Sequence, residues 1–364
     1  MEQNAQREVR TANPDWSVSE VMAHVAKALK SDGPALAFGT VQSTHVPHPV
    51  SIVVGTTGSS GISKEVGISA GAIFASAQAS NKYLGAKLGD TWSLLLPLTH
   101  IAGVNVLVRA LELGTEPIDL RGERSEYPRV DFTAIVPAQL FKALNGDDGL
   151  LQHLVAAKSV LIGGAALPED LRKQGEEAGI TIVTTYGMTE TTGGCVYNGT
   201  PLDGVEININ SDNHIAIKGA VLAETYIGAE QMWASAVKDG WFISADLGKI
   251  EGGKLIVDGR SDDVIISGGE NISLGQIEKS LQAHFPQLTC AAFAVSNPQW
   301  GDSLHLAVVG DGLLAEADIN SYLATEFGSF AKVKGFLYLS ELPLMGIGKV
   351  DRTKLVEIFM EASD

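Results

Sequence analysis

The residues best suited to chemistry in this 364-residue sequence sit in short stretches rich in glycine and hydroxyls. In VVGTTGSSGISKEVGIS, residues 53–69, two valines run into Gly, Ser and Thr, and Lys64 arrives six residues after Gly58. Small residues let backbone N–H groups approach an anion, hydroxyls add donors and a lysine adds a point charge, so the stretch suits phosphate. It is not a Walker loop. Gly58 and Gly61 are three apart, Lys64 follows Ser63 rather than a glycine, and Glu65 stands where a metal-binding hydroxyl belongs. A plain linker is the other reading of such a loop. The flanking apolar runs predict a strand–loop–helix setting, in which exposed N–H groups face the anion.

A second stretch, TTYGMTETTGG (184–194), follows the strand-like ITIV and gathers an aromatic, hydroxyls and one carboxylate. A carboxylate beside a phosphate calls for a cation between them, which makes Glu190 a candidate Mg²⁺ ligand against the alternative of a solvated loop glutamate. Farther on, DGWFISADLG carries Asp246, DGRSDDVIISGGENISLGQIE carries Arg260, and LPLMGIGKVDR sets Lys349 in a Gly-flanked loop.

The elements that must position these residues follow from periodicity. Residues 17–30, SVSEVMAHVAKALK, put Val18, Val21, Met22, Val25, Ala28 and Leu29 on one helical face, with Ser17 as N-cap. Apolar runs such as SIVV and SLLLPL alternate with helical stretches, and KSVLIGGAAL, PEDLRKQGEEAG and ITIVTTYG read as strand, helix, strand. The fold class is α/β with a largely parallel sheet. After residue 200, GVEININ, HIAIKG and KLIVDG read as short strands of a β-rich subdomain, and from GRSDD (259–263) an α+β tail of about 100 residues follows, enough for its own core. The expected organisation is a large N-terminal domain over 1–259 and a small C-terminal domain over 260–364.

Composition narrows the function classes. With 26 basic and 43 acidic side chains the net charge is −17, which argues against a nucleic-acid or anionic-membrane binder. No apolar run reaches the ~18 residues of a membrane span. The polar N-terminus MEQNAQREVRTANPDW lacks the apolar centre of a signal peptide. Cys195 and Cys290 have no metal-ligand spacing and read as two free thiols of a reducing cytoplasm. His45 and His48, among prolines, read as a solvated loop rather than a metal site.

Taken in order, TTGSSGISKE, YGMTE, SAD, GRSDD and GKVDR resemble the five signatures of the adenylate-forming superfamily, which includes acyl-CoA synthetases, adenylation domains and luciferases. The phosphate loop of that family reads T-S-G-S/T-T-G-x-P-K-G, so Ser63 replaces its proline and Glu65 its last glycine. The short region before this loop, with LPLTHIAGVNVLVRAL, VPAQLFKAL, LIGGAALP and YGMTETTGGCVYNGTPLDGVEI, is similar to the short actinobacterial form of o-succinylbenzoate–CoA ligases. The resemblance spans roughly residues 50 to 355 and implies two half-reactions: acyl-AMP formation from a carboxylate and ATP, then displacement of AMP by CoA. It assigns Thr56, Thr57, Gly58, Ser59, Ser60, Gly61 and Lys64 to pyrophosphate, Thr189 to the α-phosphate and Glu190 to Mg²⁺. It assigns Gly164, Ala165 and Ala166 to the adenine edge, Tyr186, beside Gly187, to stacking on the base, and Asp246 and Arg260 to the ribose. Lys349 would bridge the forming acyl–phosphate oxygens, and His100 would stand between the acyl pocket and the CoA tunnel. Asp262 matches the hinge about which the small domain swings, and Gly268 and Gly269 would line the pantetheine path.

A dicarboxylate substrate leaves one carboxylate to be recognised, and burying it unpaired is costly. Arg109, in the apolar VNVLVRALELG, is the first candidate anchor and Lys142 the second, with Gln139 and Gly193 completing the acid site; a solvated helix face is the alternative for both cations. The resemblance implies o-succinylbenzoate, ATP and CoA as small-molecule partners, with Mg²⁺, and an enzyme of menaquinone biosynthesis; a cytoplasmic location and a homodimer are the accompanying expectations. The rivals are an aryl- or fatty-acyl-CoA ligase of the same superfamily, an enzyme that loads a carrier protein, and a non-catalytic nucleotide binder. Retention of both Glu190 and Lys349 argues against the last.

Overall fold

Ser17 opens the first helix through a reciprocal cap: its hydroxyl accepts the Glu20 N–H at 3.3 Å while the Glu20 carboxylate accepts the Ser17 N–H at 2.8 Å. Helix α1 (Val18–Leu29) then buries Val18, Val21, Val25, Ala28 and Leu29, the face that the apolar spacing selects. The computed structural model describes residues 6–57, 63–122, 126–267, 270–297, 301–310, 314–345 and 349–363. Within it the chain divides into two units, one of Met1–Asn210, Ala216–Ser244 and Ile250–Leu255, the other of Ser211–Ile215, Ala245–Lys249 and Ile256–Asp364. The second unit thus combines the chain from Ile256 onward with two short earlier pieces.

Two sheets lie wholly within the first unit. One is built from β1 (Gln6–Thr11), β2 (Ala35–Phe38), β3 (His45–Pro47), β4 (Val50–Thr57) and β5 (Ser63–Ser69), with β15 (Thr225–Tyr226) at its edge, in the order β15-β5-β4-β2-β1-β3. Strands β1, β2 and β4 are parallel, and β4 and β5 are antiparallel with Thr56 opposite Lys64. The predicted strand–loop–helix is therefore a hairpin whose two strands flank residues 58–62. SKEVGIS forms a strand because Val66 and Ile68 alternate into the core, and α2 (Ala70–Leu84) begins only after Ser69 caps it.

The other sheet comprises β6 (Trp92–Leu94), β7 (Ile118–Asp119), β8 (Phe132–Ile135), β9 (Ser159–Ile162), β10 (Ile182–Met188), β11 (Gly193–Tyr197) and β12 (Thr200–Pro201), in the order β12-β11-β10-β9-β8-β6-β7. Its β6 to β10 members run parallel, and β11 and β12 turn antiparallel. The connecting helices α3 (Ile101–Glu112), α4 (Pro137–Leu144), α5 (Asp148–Ala156) and α6 (Glu169–Glu177) cover it. Leu140, Leu150 and Leu154 from these helices close one apolar core over Ile135, Val160, Ile162 and Ile182. Strands β13 (Val205–Ile209), β14 (His214–Gly219), β16 (Val237–Lys238), the longer β17 (Trp241–Glu251) and β18 (Lys254–Arg260) follow, with helix α7 (Glu230–Ala236) before β16, as the β-rich reading expects.

The second unit's own sheet takes β19 (Val264–Ser267), β20 (Glu270–Ser273), β21 (Cys290–Asn297), β22 (Gly301–Val309) and β23 (Gly335–Leu339). Helices α8 (Leu274–His284) and α9 (Glu316–Glu326) pack Ile277, Leu281, Ile319 and Leu323 against Leu304 and Leu306, and α10 (Arg352–Ser363) adds Leu355 beside Phe293. A two-stranded ribbon, β24 (Leu344–Met345) and β25 (Lys349–Val350), precedes α10.

Candidate active site

The parallel strands β6, β8, β9 and β10 lie in register, with Leu94 opposite Ala134, Ile135 opposite Ile162 and Ile162 opposite Thr184. Their C-terminal ends share one edge, where α/β sheets present their ligand-binding loops. Three predicted site segments leave from that edge. Gly164, Ala165 and Ala166 form an exposed turn after β9, with Gly164 at φ +83°. Gly163, just before it, has no room for a Cβ because the Thr185 hydroxyl would lie 2.1 Å away. Tyr186 and Gly187 occupy the end of β10, Tyr186 half-buried, and His100 is the half-buried N-cap residue of α3 after β6.

The turn from β10 into β11 is rigid. The Thr191 hydroxyl accepts the Met188 N–H at 2.9 Å, and Thr192, at φ +52°, donates its hydroxyl to the Val221 carbonyl at 2.6 Å. The Thr192 carbonyl receives bonds from Ser76 (3.0 Å) and the Asn105 amide (2.8 Å). With Thr191 and Thr192 buried in this work, Thr189 and Glu190 are left half-buried on the turn. Gly193 is buried at φ +88° with Asn105 Nδ2 where a Cβ would stand, so its small size serves close packing of this turn rather than presenting a free binding surface.

Glu190 Oε1 accepts the Tyr226 hydroxyl at 2.8 Å, and Lys64 Nζ lies 4.8 Å from the centre of the Tyr226 ring. Burial and the neighbouring carboxylate push the Tyr226 phenol far above its ordinary value, so it stays a donor. Among the described residues Glu190 Oε2 carries no hydrogen bond, and one carboxylate with a free oxygen is what Mg²⁺ takes when phosphates complete its coordination. Lys64, the Tyr226 ring and the Glu190 carboxylate are thus in one cluster. Sequence reasoning missed Tyr226, which belongs to no local pattern; Asn105 gave the same signal as Arg109, a polar residue inside an apolar helix.

The predicted acid-site residues divide. Arg109 is 4% exposed, and its Nη2 donates to the Tyr197 hydroxyl at 3.1 Å while the guanidinium lies 5.2 Å from the centre of the Trp92 ring. Its Nε has no partner, and no carboxylate pairs with it among the described residues. Arg7, the other buried arginine among the described residues, contrasts: its Nε, Nη1 and Nη2 all donate, to Gly33, Val50, Ser51, Ala28 and Pro34. Arg109 therefore retains unmet donors in the interior. Two expectations need correction. Lys142 lies on the exposed face of α4 and pairs with Asp147 at 3.3 Å, so it is a solvated helix cation. Gln139 spends both ends of its amide on backbone, accepting from Val136 N–H at 3.0 Å and donating to the Leu95 carbonyl at 3.2 Å, which fixes the start of α4.

In the second unit Arg260 Nη1 donates to Asp246 at 3.1 Å, while Nε and Nη2 clasp both oxygens of Asp262 at 2.8 and 2.7 Å. The two predicted ribose residues and the predicted hinge residue are one cluster. The bonds to Asp262, outweighing the opposing effect of burial, hold the Arg260 guanidinium above its ordinary value and charged. Arg352, which ends the GKVDR motif, pairs with Glu278 at 3.0 Å and Asp263 at 3.6 Å and anchors the start of α10. Lys349 opens β25 opposite Met345. Gly58, Ser59, Ser60, Gly61, Gly268 and Gly269 lie outside the described residues, as do the side chains of Thr57 and Lys349. A cavity of about 870 Å³ lined by Tyr127, Pro128, Arg129 and His153 shares no residue with either cluster. No described helix is long and apolar enough to cross a membrane.

Ordered motifs at a sheet's C-terminal edge, with a small second unit carrying a Gly-flanked lysine, define an adenylate-forming architecture. Residues 3–225 match the AMP-binding enzyme family and residues 276–349 its C-terminal domain. The chain belongs to the AMP-binding enzymes. A Mycobacterium tuberculosis protein named "Probable 2-succinylbenzoate–CoA ligase" is 37% identical over 334 residues, covering 86% of each chain. The 2-succinylbenzoate–CoA ligase of Lactococcus lactis is 29% identical, covering 84% of this chain and 70% of its own. The fold matches that of o-succinylbenzoate CoA synthetase from Bacillus subtilis, solved with its acyl-adenylate intermediate, at a TM-score of 0.74 and 23% identity over 95% of this chain and 82% of that one.

Proposed function

We infer that this protein is an ATP-dependent acid–CoA ligase that converts o-succinylbenzoate to its CoA thioester through an acyl-adenylate. A carboxylate oxygen of the succinyl group attacks the α-phosphorus, and the bond to pyrophosphate breaks. The CoA sulfur then attacks the acyl carbon, the carbonyl–phosphate bond breaks and AMP leaves. Negative charge gathers on phosphate oxygens in the first step, so fixed cations and donors supply most of the stabilisation. Lys64 meets the pyrophosphate with Thr56, Thr57 and the loop they root, Thr189 meets the α-phosphate, and Lys349 meets the forming acyl–phosphate oxygens. Glu190, oriented by Tyr226, holds Mg²⁺, which when bound neutralises phosphate charge. Tyr186 and the turn at 164–166 border adenine, Asp246 and Arg260 hold the ribose, Asp262 is the hinge, and Gly268 and Gly269 border the pantetheine arm beyond His100.

The substrate reading rests on Arg109. A buried guanidinium with an unmet donor and no carboxylate partner among the described residues suits the aromatic carboxylate that does not react. A fatty acid would leave that charge uncompensated. The family relatives named for 2-succinylbenzoate support the same choice. Cytoplasmic residence accords with two free cysteines whose thiols burial pushes up to about 12, leaving them unreactive. The test is pyrophosphate release and thioester formation across a panel of acids with ATP, Mg²⁺ and CoA. The reading requires o-succinylbenzoate to outrun benzoate, succinate and fatty acids.

A further inference from the structure

We propose that Glu65 is a positioning residue for ATP: it locks the root of the phosphate hairpin so that Lys64 faces Glu190. Successive residues of a strand point to opposite faces, so Lys64 and Glu65 on β5 serve different sides. On one side Lys64 reaches the Tyr226 ring, and Tyr226 donates to Glu190. On the other, the Glu65 carboxylate accepts two backbone N–H groups, Gln42 at 2.6 Å and Ser43 at 3.3 Å, in the turn after β2. The Glu65 backbone is committed as well, its carbonyl accepting the Ile227 N–H at 2.8 Å beside Tyr226. Glu65 therefore joins three segments: the hairpin, the strand that carries Tyr226, and the 39–43 turn.

That turn is wedged where it can transmit position. Gly55, paired with Glu65 across the hairpin, has the Thr40 carbonyl 2.2 Å from where a Cβ would stand. Gly39, at φ +76°, approaches the carbonyls of both Gly55 and Thr99, the latter adjoining His100. With backbone packed on backbone, the charged carboxylate is the side-chain tie that holds turn and hairpin in register. The glycine that the superfamily pattern places at this position could make neither bond. The side chain touches no substrate in this account; it acts through Lys64, and so the inference rests on the reading of Lys64 as a phosphate contact.

The test uses the full-length enzyme with Glu65→Gln, which keeps size and loses charge, and Glu65→Gly, the family residue. ATP binding by calorimetry without the acid should weaken about tenfold in both, the order expected for losing charge-assisted bonds to backbone. KM for ATP should rise with it, while thioester formation from supplied acyl-adenylate and CoA stays within about twofold. Amide hydrogen exchange at Gln42 and Ser43 should accelerate in both variants. Unchanged ATP affinity, or equal loss of both half-reactions, overturns the proposal. Wild-type activity across the acid panel tests the functional reading separately, because calorimetry and amide exchange report on Glu65 whatever the acid.

Discussion

Removing the Arg109 guanidinium tests the substrate assignment through a quantity the structure bounds. Arg109 is 4% exposed, makes one side-chain hydrogen bond, to Tyr197, and has no carboxylate partner among the described residues. If the aromatic carboxylate of o-succinylbenzoate is that partner, its loss leaves a desolvated anion unpaired, which costs about 3–5 kcal/mol. At 1.4 kcal/mol per tenfold, kcat/KM for o-succinylbenzoate should fall by a factor on the order of 10² to 10³ or more. Arg109→Met is preferable to Arg109→Ala because the side chain also fills space over Trp92, and a cavity would add its own cost. The assay is initial pyrophosphate release against acid concentration, run in parallel with an analogue lacking the aromatic carboxylate. The analogue should lose far less, and ATP affinity should stay within about twofold. Equal loss of both substrates would refute the reasoning and make Arg109 a structural residue of the α2–α3 core. Lys142 would not inherit the role, since Asp147 already pairs with it at the surface.

Three further outcomes follow from the same residues. Lys349→Ala should abolish acyl-adenylate formation yet still convert supplied acyl-adenylate and CoA to thioester; equal loss of both steps would show that Lys349 serves the fold. Asp262→Pro, which fixes φ near −65°, should keep adenylation and lose thioester formation, whereas Asp262→Ala, which loses the Arg260 clasp but leaves the backbone free, should keep both steps; full turnover by the proline variant would move the hinge elsewhere. His153 is buried between Ser93 (2.9 Å) and the Pro128 carbonyl (2.8 Å), and burial lowers its pKa below the ordinary histidine value. The unfolded chain then binds more protons, so stability should fall as pH drops through and below that ordinary value. Thermal melts of His153→Gln against wild type should show a shallower decline, with buried His305 contributing to what remains; identical pH slopes would contradict the assignment.

How much the sequence revealed tracks how local the cause is. The strand–helix alternation was legible because SVLI, ITIV and SLLL bury in register, and the α1 cap because Ser17 and Glu20 are three residues apart. Glu190 stands out in the sequence because its neighbours in TTYGMTETTGG are themselves hydroxyls and glycines. The hairpin at 50–69 was not, since SKEVGIS offers only two strongly apolar side chains, and its strand character comes from pairing with β4. Tyr226 escaped because its meaning lies in Glu190, 36 residues away in the chain. Lys142 and Gln139 misled for a related reason: a cation or amide on an amphipathic helix reads alike whether it faces a pocket, an exposed aspartate or the preceding backbone.

The central claim is that the chain activates o-succinylbenzoate as an adenylate. Wild-type enzyme mixed with ATP, Mg²⁺ and o-succinylbenzoate but no CoA, then quenched and examined by mass spectrometry, should contain o-succinylbenzoyl-AMP in amounts approaching the enzyme present, and adding CoA should convert it to thioester and AMP. Absence of the adenylate, with formation of one from benzoate or a fatty acid under the same conditions, would contradict the account.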